Sequence, residues 1–288
     1  MAKGTKELQQ RIKGVKNIQQ ITRAMEMVAT QKLKRLQGRA DAARPFSQKI
    51  QEMVGRLAGS VRSDLSPLLE EREVSTTTNL VISSDKGMCG GYNANLVRFT
   101  QKLLKESEGE QRLNMLGIKG EGMLRARGCS VTLKYDDVVD KLDFNAVRAM
   151  TRELVSQFLA GEIDELRLVY TSYVSAARQQ PVAVSILPID PESLLSDDET
   201  GSDIDFIVEP DEETLLKDLL PKFLEIKVYS AILESLASEF TARRNAMKQA
   251  TDAADEMIVS LRRQFNRARQ ESITSELLEV SSGAEALK

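Results

Sequence analysis

Apolar residues recur every three or four positions from Leu8 onward: Leu8, Ile12, Val15 and Ile18, then Met25, Ala29, Leu33, Leu36, Ala40, Ala43, Phe46, Ile50, Met53 and Leu57. That spacing lines one face of an α-helix, and it is sustained far beyond ordinary helix length. At 1.5 Å per residue, a helix over residues 4–59 would be roughly 80 Å long, longer than a compact domain is wide, so part of it must project. Pro45, preceded by Arg44, lies inside the run and predicts a bend there, or a stagger that keeps the stripe going.

The C-terminal third repeats the signal more strictly. Leu233, Leu236, Phe240, Arg243, Met247, Ala250, Ala254, Met257, Leu261, Gln264 and Ala268 alternate by threes and fours, the spacing of a coiled-coil seam. Small alanines and polar Arg243 and Gln264 stand where a stable two-stranded zipper prefers leucine and isoleucine, which predicts a close and releasable packing. Pro221 predicts the first turn of this helix, after a short helix around residues 212–219. From Pro221 to Ser281 the helix would be on the order of 90 Å long.

Between the two helical stripes the period changes. NLVISSD at 79–85, RLNMLG at 112–117, SVTLKY at 130–135, LRLVYTSY at 166–173 and QPVAVSILP at 180–188 read as strands. Helical segments at 93–106, 119–127 and 145–160 separate them, and the alternation predicts a mostly parallel sheet with right-handed crossovers. Residues 190–213, rich in Asp, Glu, Ser and Pro, read as a surface loop with one short strand at 204–208. The expected organisation is a helix over 1–59, an inserted Rossmann-like α/β domain over 75–210, and a second helix over 211–288.

Composition then removes whole classes of chemistry. The 288 residues include no histidine, no tryptophan and two cysteines, Cys89 and Cys129, far apart in sequence. Ser-His-Asp triads, Cys-His dyads and most zinc sites need what is missing. A net charge of −3 argues against a chain that coats nucleic acid. The average hides an asymmetry, because residues 1–49 carry 12 basic and 3 acidic side chains and the rest of the chain is strongly acidic. No apolar h-region follows the charged N-terminus and no apolar stretch is long enough to span a bilayer, so neither a secretory leader nor membrane insertion is expected. Two separated cysteines suit a reducing interior.

The candidate sites each have an ordinary structural alternative. Strand 79–85 runs through Lys86, Gly87, Met88, Cys89, Gly90 and Gly91 into a helix, the place where α/β proteins often bind phosphate, yet the loop matches neither GxxxxGK[ST] nor GxGxxG. It is a nucleotide loop or a tight glycine turn. Gly117, Gly120 and Gly122 have the wrong order for a dinucleotide fingerprint and read as turn and close packing. Asp136 with Asp137, and Asp197, Asp198 and Glu199, could hold a metal, but a solvated loop explains them equally. Cys89 is a thiolate at a helix start or a small buried residue.

Three strings carry a resemblance. ITRAMEMVA at 21–29, SDKGMCGG at 84–91 and above all ITSELLEVSSGAEA at 273–286 resemble the gamma-subunit family of F-type ATP synthases, the central-stalk rotors. The last string fits the family's C-terminal pattern through Ile273, Thr274, Glu276, Glu279, Gly283 and Ala284. The resemblance covers essentially the whole chain. It lacks the plastid form's insert with a closely spaced cysteine pair, and Arg23 stands where relatives often have lysine, which keeps the charge.

The resemblance implies an antiparallel coiled coil of the two terminal helices, with the C-terminal strand reaching alone into a collar of three alpha and three beta subunits. It implies contacts to that collar through Met25, Arg269, Gln270, Thr274, Glu276 and Glu279, and an α/β domain that meets the epsilon subunit and the membrane ring of c subunits. It further implies no catalytic residue, cofactor or metal on this chain, and a peripheral place on the cytoplasmic side of a bacterial cell membrane, where ion flow is coupled to ATP synthesis and hydrolysis. Two other readings stand beside it: an α/β nucleotide-binding enzyme with coiled-coil arms, resting on loop 84–91, and a structural tether with no rotary role.

Overall fold

A computed structural model describes residues 3–60, 66–135, 138, 142–190 and 211–285. Helix α1 runs over Lys3–Ser60. The middle of the chain follows as β1 (Thr76–Ile82), α2 (Tyr92–Glu106), β2 (Glu110–Leu116), α3 (Ile118–Arg125), β3 (Leu133–Tyr135), α4 (Phe144–Leu159), β4 (Glu165–Tyr173) and β5 (Gln179–Leu187). Helix α5 closes the described chain over Glu212–Glu285, 74 residues without interruption. The expected strand at 204–208 and the acidic groups at 136–137 and 197–199 lie outside the described residues. The chain falls into two compact units, one of residues 1–31 and 243–288, the other of residues 32–242.

In the larger unit the five strands stand in the order β3-β2-β1-β4-β5. β1 pairs in parallel with β2 and β4, and β2 with β3, while β5 returns antiparallel to β4. The connection between β4 and β5 is too short for a crossover, so a hairpin is the only pairing open to it. Successive residues of β1 feed opposite faces. Leu80 and Ile82 join a core with Leu116, Leu166, Leu168, α4 and the part of α5 from Leu216 to Leu236. Val81 joins the other with Leu96, Val97, Leu113, Met115, Leu124 and Val169. A strand buried on both faces reads as a continuous apolar run, which is what Leu80, Val81 and Ile82 form. Helix α4 is capped by Asp143, whose carboxylate accepts from Asn145 N at 3.0 Å. It buries Val147, Met150, Thr151, Leu154, Val155 and Phe158, the three-and-four spacing of one face.

Two prolines lie inside helices rather than at their ends. The stripe passes Pro45 without a stagger, because half-buried Ala43 and Ser47 lead on to buried Ile50, Val54 and Leu57. Ser47 takes the inward position that Phe46 was expected to hold, and Phe46 is 61% exposed. Pro221 does not begin α5 but sits within it. A proline deprives the carbonyl four residues back of its partner. That carbonyl belongs here to Lys217, an exposed residue reachable by water. Leu216, Leu219, Leu220, Phe223 and Leu224 are all buried around the proline. Their packing outweighs the roughly 3 kcal/mol that a proline costs a helix interior.

Gly117 and Gly120 provide the close approach expected of the second glycine set, and Gly122 has open space around it. A Cβ on Gly117, at φ +89, would lie 2.2 Å from the carbonyl oxygen of Ser83. Replacing Gly117 by alanine therefore combines a strained backbone with a backbone clash. It should lower stability by about 2–4 kcal/mol, read as an earlier urea midpoint of the purified chain.

Candidate functional site

In the smaller unit the two helices run antiparallel. Thr22 Oγ1 meets Thr251 Oγ1 at 2.8 Å, and three residues earlier in α1 Gln19 donates to Asp255 of α5. The inward positions of α5 are Arg243, Met247, Thr251, Ala254, Ile258, Leu261, Phe265 and Ala268. The strict alternation expected from the sequence placed Ala250, Met257 and Gln264 there instead, and Met257 is 52% exposed. Two steps of four in succession, 243 to 247 to 251, move the seam by one residue. An α-helix of 3.6 residues per turn needs such a step to stay in contact, because a strict seven-residue repeat drifts off its face. The same shift occurs in α1, where Gln19 is half-buried and Ile18 is 55% exposed.

The seam thus has polar pairs at its centre and apolar residues on its outside. Ile21, Met27, Val28, Met257 and Val259 are exposed along both helices. Leucine-poor packing bridged by hydroxyls and an amide holds the helices in register while burying little surface, and it leaves an apolar exterior for something else to cover.

The register fixes where the pairing ends. With Thr22 opposite Thr251 and Gln19 opposite Asp255, the start of α1 stands opposite a point near residue 270. Beyond it every described side chain from Ile273 to Ala284 is exposed, including Ile273, Leu277, Leu278 and Val280. This overhanging strand carries Thr274, Glu276 and Glu279 of the six residues singled out in the sequence, and Arg269 and Gln270 stand at its base. Arg269, Gln270, Thr274, Glu276 and Glu279 are all exposed. Thr274 Oγ1 donates to the Gln270 carbonyl at 2.9 Å, and Ser272 Oγ donates to Glu276 at 3.3 Å. Arg267 is held by Glu271 at 2.9 Å, whereas Arg269 makes no ion pair among the described residues. On a regular helix Arg269 and Glu276 share an azimuth about 10 Å apart, and Gln270 and Thr274 share another. Met25 is not brought together with them. It is half-buried on α1, one turn before buried Ala29, and its level on α5 is near residue 248, about 30 Å from Arg269.

In the larger unit, loop 83–91 spends its polar groups internally. Ser84 N donates to Asn93 Oδ1 at 3.2 Å, Ser84 Oγ donates to the Lys86 carbonyl at 2.9 Å, and Asn93 Nδ2 donates to Ser84 Oγ at 2.7 Å. Cys89 is buried in this network, 3.3 Å from Asn93 Nδ2, so the small-buried-residue reading of the thiol holds. Gly90, at φ +57, makes the turn.

A doubly wound sheet offers its ligand crevice outside the carboxyl ends of the strands where the order reverses, here between β1 and β4. That crevice is filled by α5. Ser235 Oγ lies 2.7 Å from the Tyr92 hydroxyl and 3.4 Å from the Ile82 carbonyl, and Glu234 accepts from Ser172 Oγ at 2.6 Å and from Tyr173 N at 2.9 Å. Burial, with Glu239 nearby, holds the Tyr92 phenol far above the usual tyrosine range, so it stays a neutral donor. Tyr170, half-buried beside Glu234, is shifted in the same direction by desolvation and by that carboxylate. Sequence reasoning missed these residues. Their only signal was polar residues within an otherwise apolar stretch of helix.

A cleft of about 760 Å³ on this unit is lined by Arg72, Glu165, Arg167 and Lys227 among others. Its arginines are committed: Arg167 to Glu165 at 2.6 Å and Arg72 to the Phe158 carbonyl at 3.2 Å. Among the described residues no group of acidic residues or cysteines could hold a metal ion, and no helix is long and apolar enough to cross a membrane.

Comparison with known proteins gives the same outline. A family model described as ATP synthase matches residues 4–287. The ATP synthase gamma chain of Moorella thermoacetica is 43% identical over 283 residues, covering 98% of this chain and 99% of the relative. That of Dehalococcoides mccartyi is 42% identical over 282 residues, covering 97% and 98%. Among solved structures, a central stalk and c-ring of the Tetrahymena thermophila mitochondrial ATP synthase superposes with a TM-score of 0.60 at 25% identity, covering 80% of this chain and 99% of that one. A chain in the OSCP, F1 and c-ring assembly of the Euglena gracilis enzyme superposes at 0.69 with 18% identity, covering 99% and 94%, a likeness of fold.

Proposed function

The chain belongs to the ATP synthase gamma-chain family, and on that footing we propose how it works as the rotating central stalk of the complex. It is a non-catalytic subunit. The catalytic sites lie on the beta subunits, and this chain couples ion flow through the membrane sector to ATP synthesis and hydrolysis in the hexamer of three alpha and three beta subunits. Its partners are that hexamer, the epsilon subunit and the ring of c subunits. The complex is membrane-associated, and we place this chain on its cytoplasmic side.

The observation that carries the reading is the strand of α5 from Ile273 to Ala284, exposed on every side and studded with apolar residues. A single asymmetric helix inside three equivalent sectors cannot contact them identically. The three catalytic sites must therefore differ at any instant, and turning the helix permutes their states. The coupling is reciprocal: if stalk angle changes nucleotide affinity, nucleotide binding changes the preferred stalk angle. Thr274, Glu276 and Glu279 are the proposed collar contacts on this strand, with Arg269 and Gln270 at its base and Met25 a separate one on α1.

Co-purification from the host membrane tests the assembly. A tag on this chain should bring down alpha, beta and epsilon subunits in stoichiometric amounts, and recovery of the chain alone would contradict the proposal. Purified by itself, the chain should hydrolyse ATP no faster than a boiled control, because it lacks the positioned groups that phosphoryl transfer needs. Activity that follows it through successive columns would count for the nucleotide-binding reading instead.

A further inference from the structure

We infer that Glu234, together with Ser235 and Glu225, is a rotational key that fixes helix α5 in angle against the sheet domain, so that torque on the domain enters the helix at this point. The inference rests on the rotor reading above and adds to it the place where twist is transferred.

Apolar packing is non-directional. Leu216, Leu220, Leu224, Val228 and Ile232 bury α5 against the domain and keep it from leaving, but a socket of methyl groups resists a turn about the helix axis only through its shape. Charge-assisted hydrogen bonds are short and directional, and they resist such a turn at once.

Three polar contacts, two of them to carboxylates, leave the helix in different directions. Glu225, 4% exposed, accepts from Arg152 Nε of α4 at 2.8 Å. Glu234 takes both the hydroxyl of Ser172 and the backbone N–H of Tyr173 on one carboxylate oxygen. Ser235, fully buried, meets Tyr92 at the start of α2 and the last carbonyl of β1. At 100° per residue, Glu234 points about 180° from Glu225 and Ser235 about 280° from it, over a rise of about 15 Å. The contacts therefore reach α4, β4, and β1 with α2. A turn of α5 in either direction lengthens all three. Glu234, as an acceptor, and Ser235, as a donor to the Ile82 carbonyl, are moreover set in the switch-point crevice, where the strand ends offer groups otherwise free for a ligand.

A merely stabilising role would show in the melting temperature; a key shows in torsional stiffness. The complex is assembled with Cys129→Ser and Lys102→Cys in this chain, the alpha and beta hexamer is fixed to a surface, and a bead is attached at position 102 in α2. With nucleotide withheld, the width of the bead's angular distribution reports the stiffness between bead and collar. Glu234→Ala with Ser235→Ala should raise the angular variance at least two-fold, and Glu234→Gln, which keeps the shape and loses the charge, should raise it by less. If the double variant does not assemble, Glu234→Gln decides alone. A variance equal to that of the unmodified chain in the assembled variants, even with a lower melting temperature, overturns the key. If the bead on the unmodified complex does not turn when ATP is added, the rotor reading itself fails, a result separate from any effect of the substitutions.

Discussion

Replacing Arg269 by alanine should slow steady-state ATP hydrolysis and synthesis by the assembled complex about 10-fold or more, with assembly and the helical content of the chain unchanged. Arg269 is exposed at the base of the overhanging strand and makes no ion pair among the described residues, unlike Arg267 two positions before it. Its guanidinium offers a planar fork suited to holding a carboxylate of the collar bidentately, and Gln270 beside it adds a neutral donor and acceptor. A hydrogen bond to a charged group is worth roughly 1.5–3 kcal/mol. If the contact forms at one of three sectors at a time, that energy biases one angular state over the others, and its loss corresponds to about 10-fold to 150-fold in a rate that depends on reaching that state. Arg269→Lys should recover little, since an ammonium cannot reproduce the fork. If Arg269→Ala and Gln270→Ala together leave both rates unchanged in a complete complex, torque passes through the packing surface of the stalk alone.

Removing residues 277–288 should separate coupling from folding. The register of the helix pair puts this segment beyond the start of α1, and its described side chains are exposed, so it takes no part in the chain's own core. The truncated chain should keep nearly all of its helical circular dichroism and its thermal midpoint. Leu277, Leu278 and Val280 are exposed apolar groups, and if the collar covers them as proposed, burial of each is worth about 1.5–3 kcal/mol. ATP synthesis by the reconstituted complex should fall at least about 10-fold for loss of even one such contact, by a measure of phosphate incorporated under an imposed ion gradient. Loss of the whole fold on truncation would contradict the placement of this segment outside the core.

The helices were legible because a three-and-four spacing needs only the chain itself to be seen. Which neighbour faces inward was not, since a drift of one residue decides it. Gln19 displaces Ile18, Ser47 displaces Phe46 and Ile258 displaces Met257 from the inward face. Exposed Ile18 and Phe46 are more apolar than the Gln19 and Ser47 that replace them, so hydrophobicity alone gave the wrong choice there, and between apolar Met257 and Ile258 the helical drift decides. Pro221 misled for a different reason: local propensity against a helix was overridden by the buried leucines flanking it. The strands were visible from their apolar runs, and the crossovers from the helices between them. The polar set in the crevice was invisible, because Glu234 gains meaning only when the end of β4 is known to lie beside it.

Direct observation of rotation tests the central claim. With the alpha and beta hexamer fixed to a surface and a rod attached to Lys102→Cys of this chain, saturating ATP should drive the rod in one direction with three dwells per turn, and withdrawing ATP should stop it. A rod that stays still, or wanders without direction, while the same complexes hydrolyse ATP at full rate would contradict the account: the chain would then be a fixed tether, and coupling would have to run through some other part of the complex.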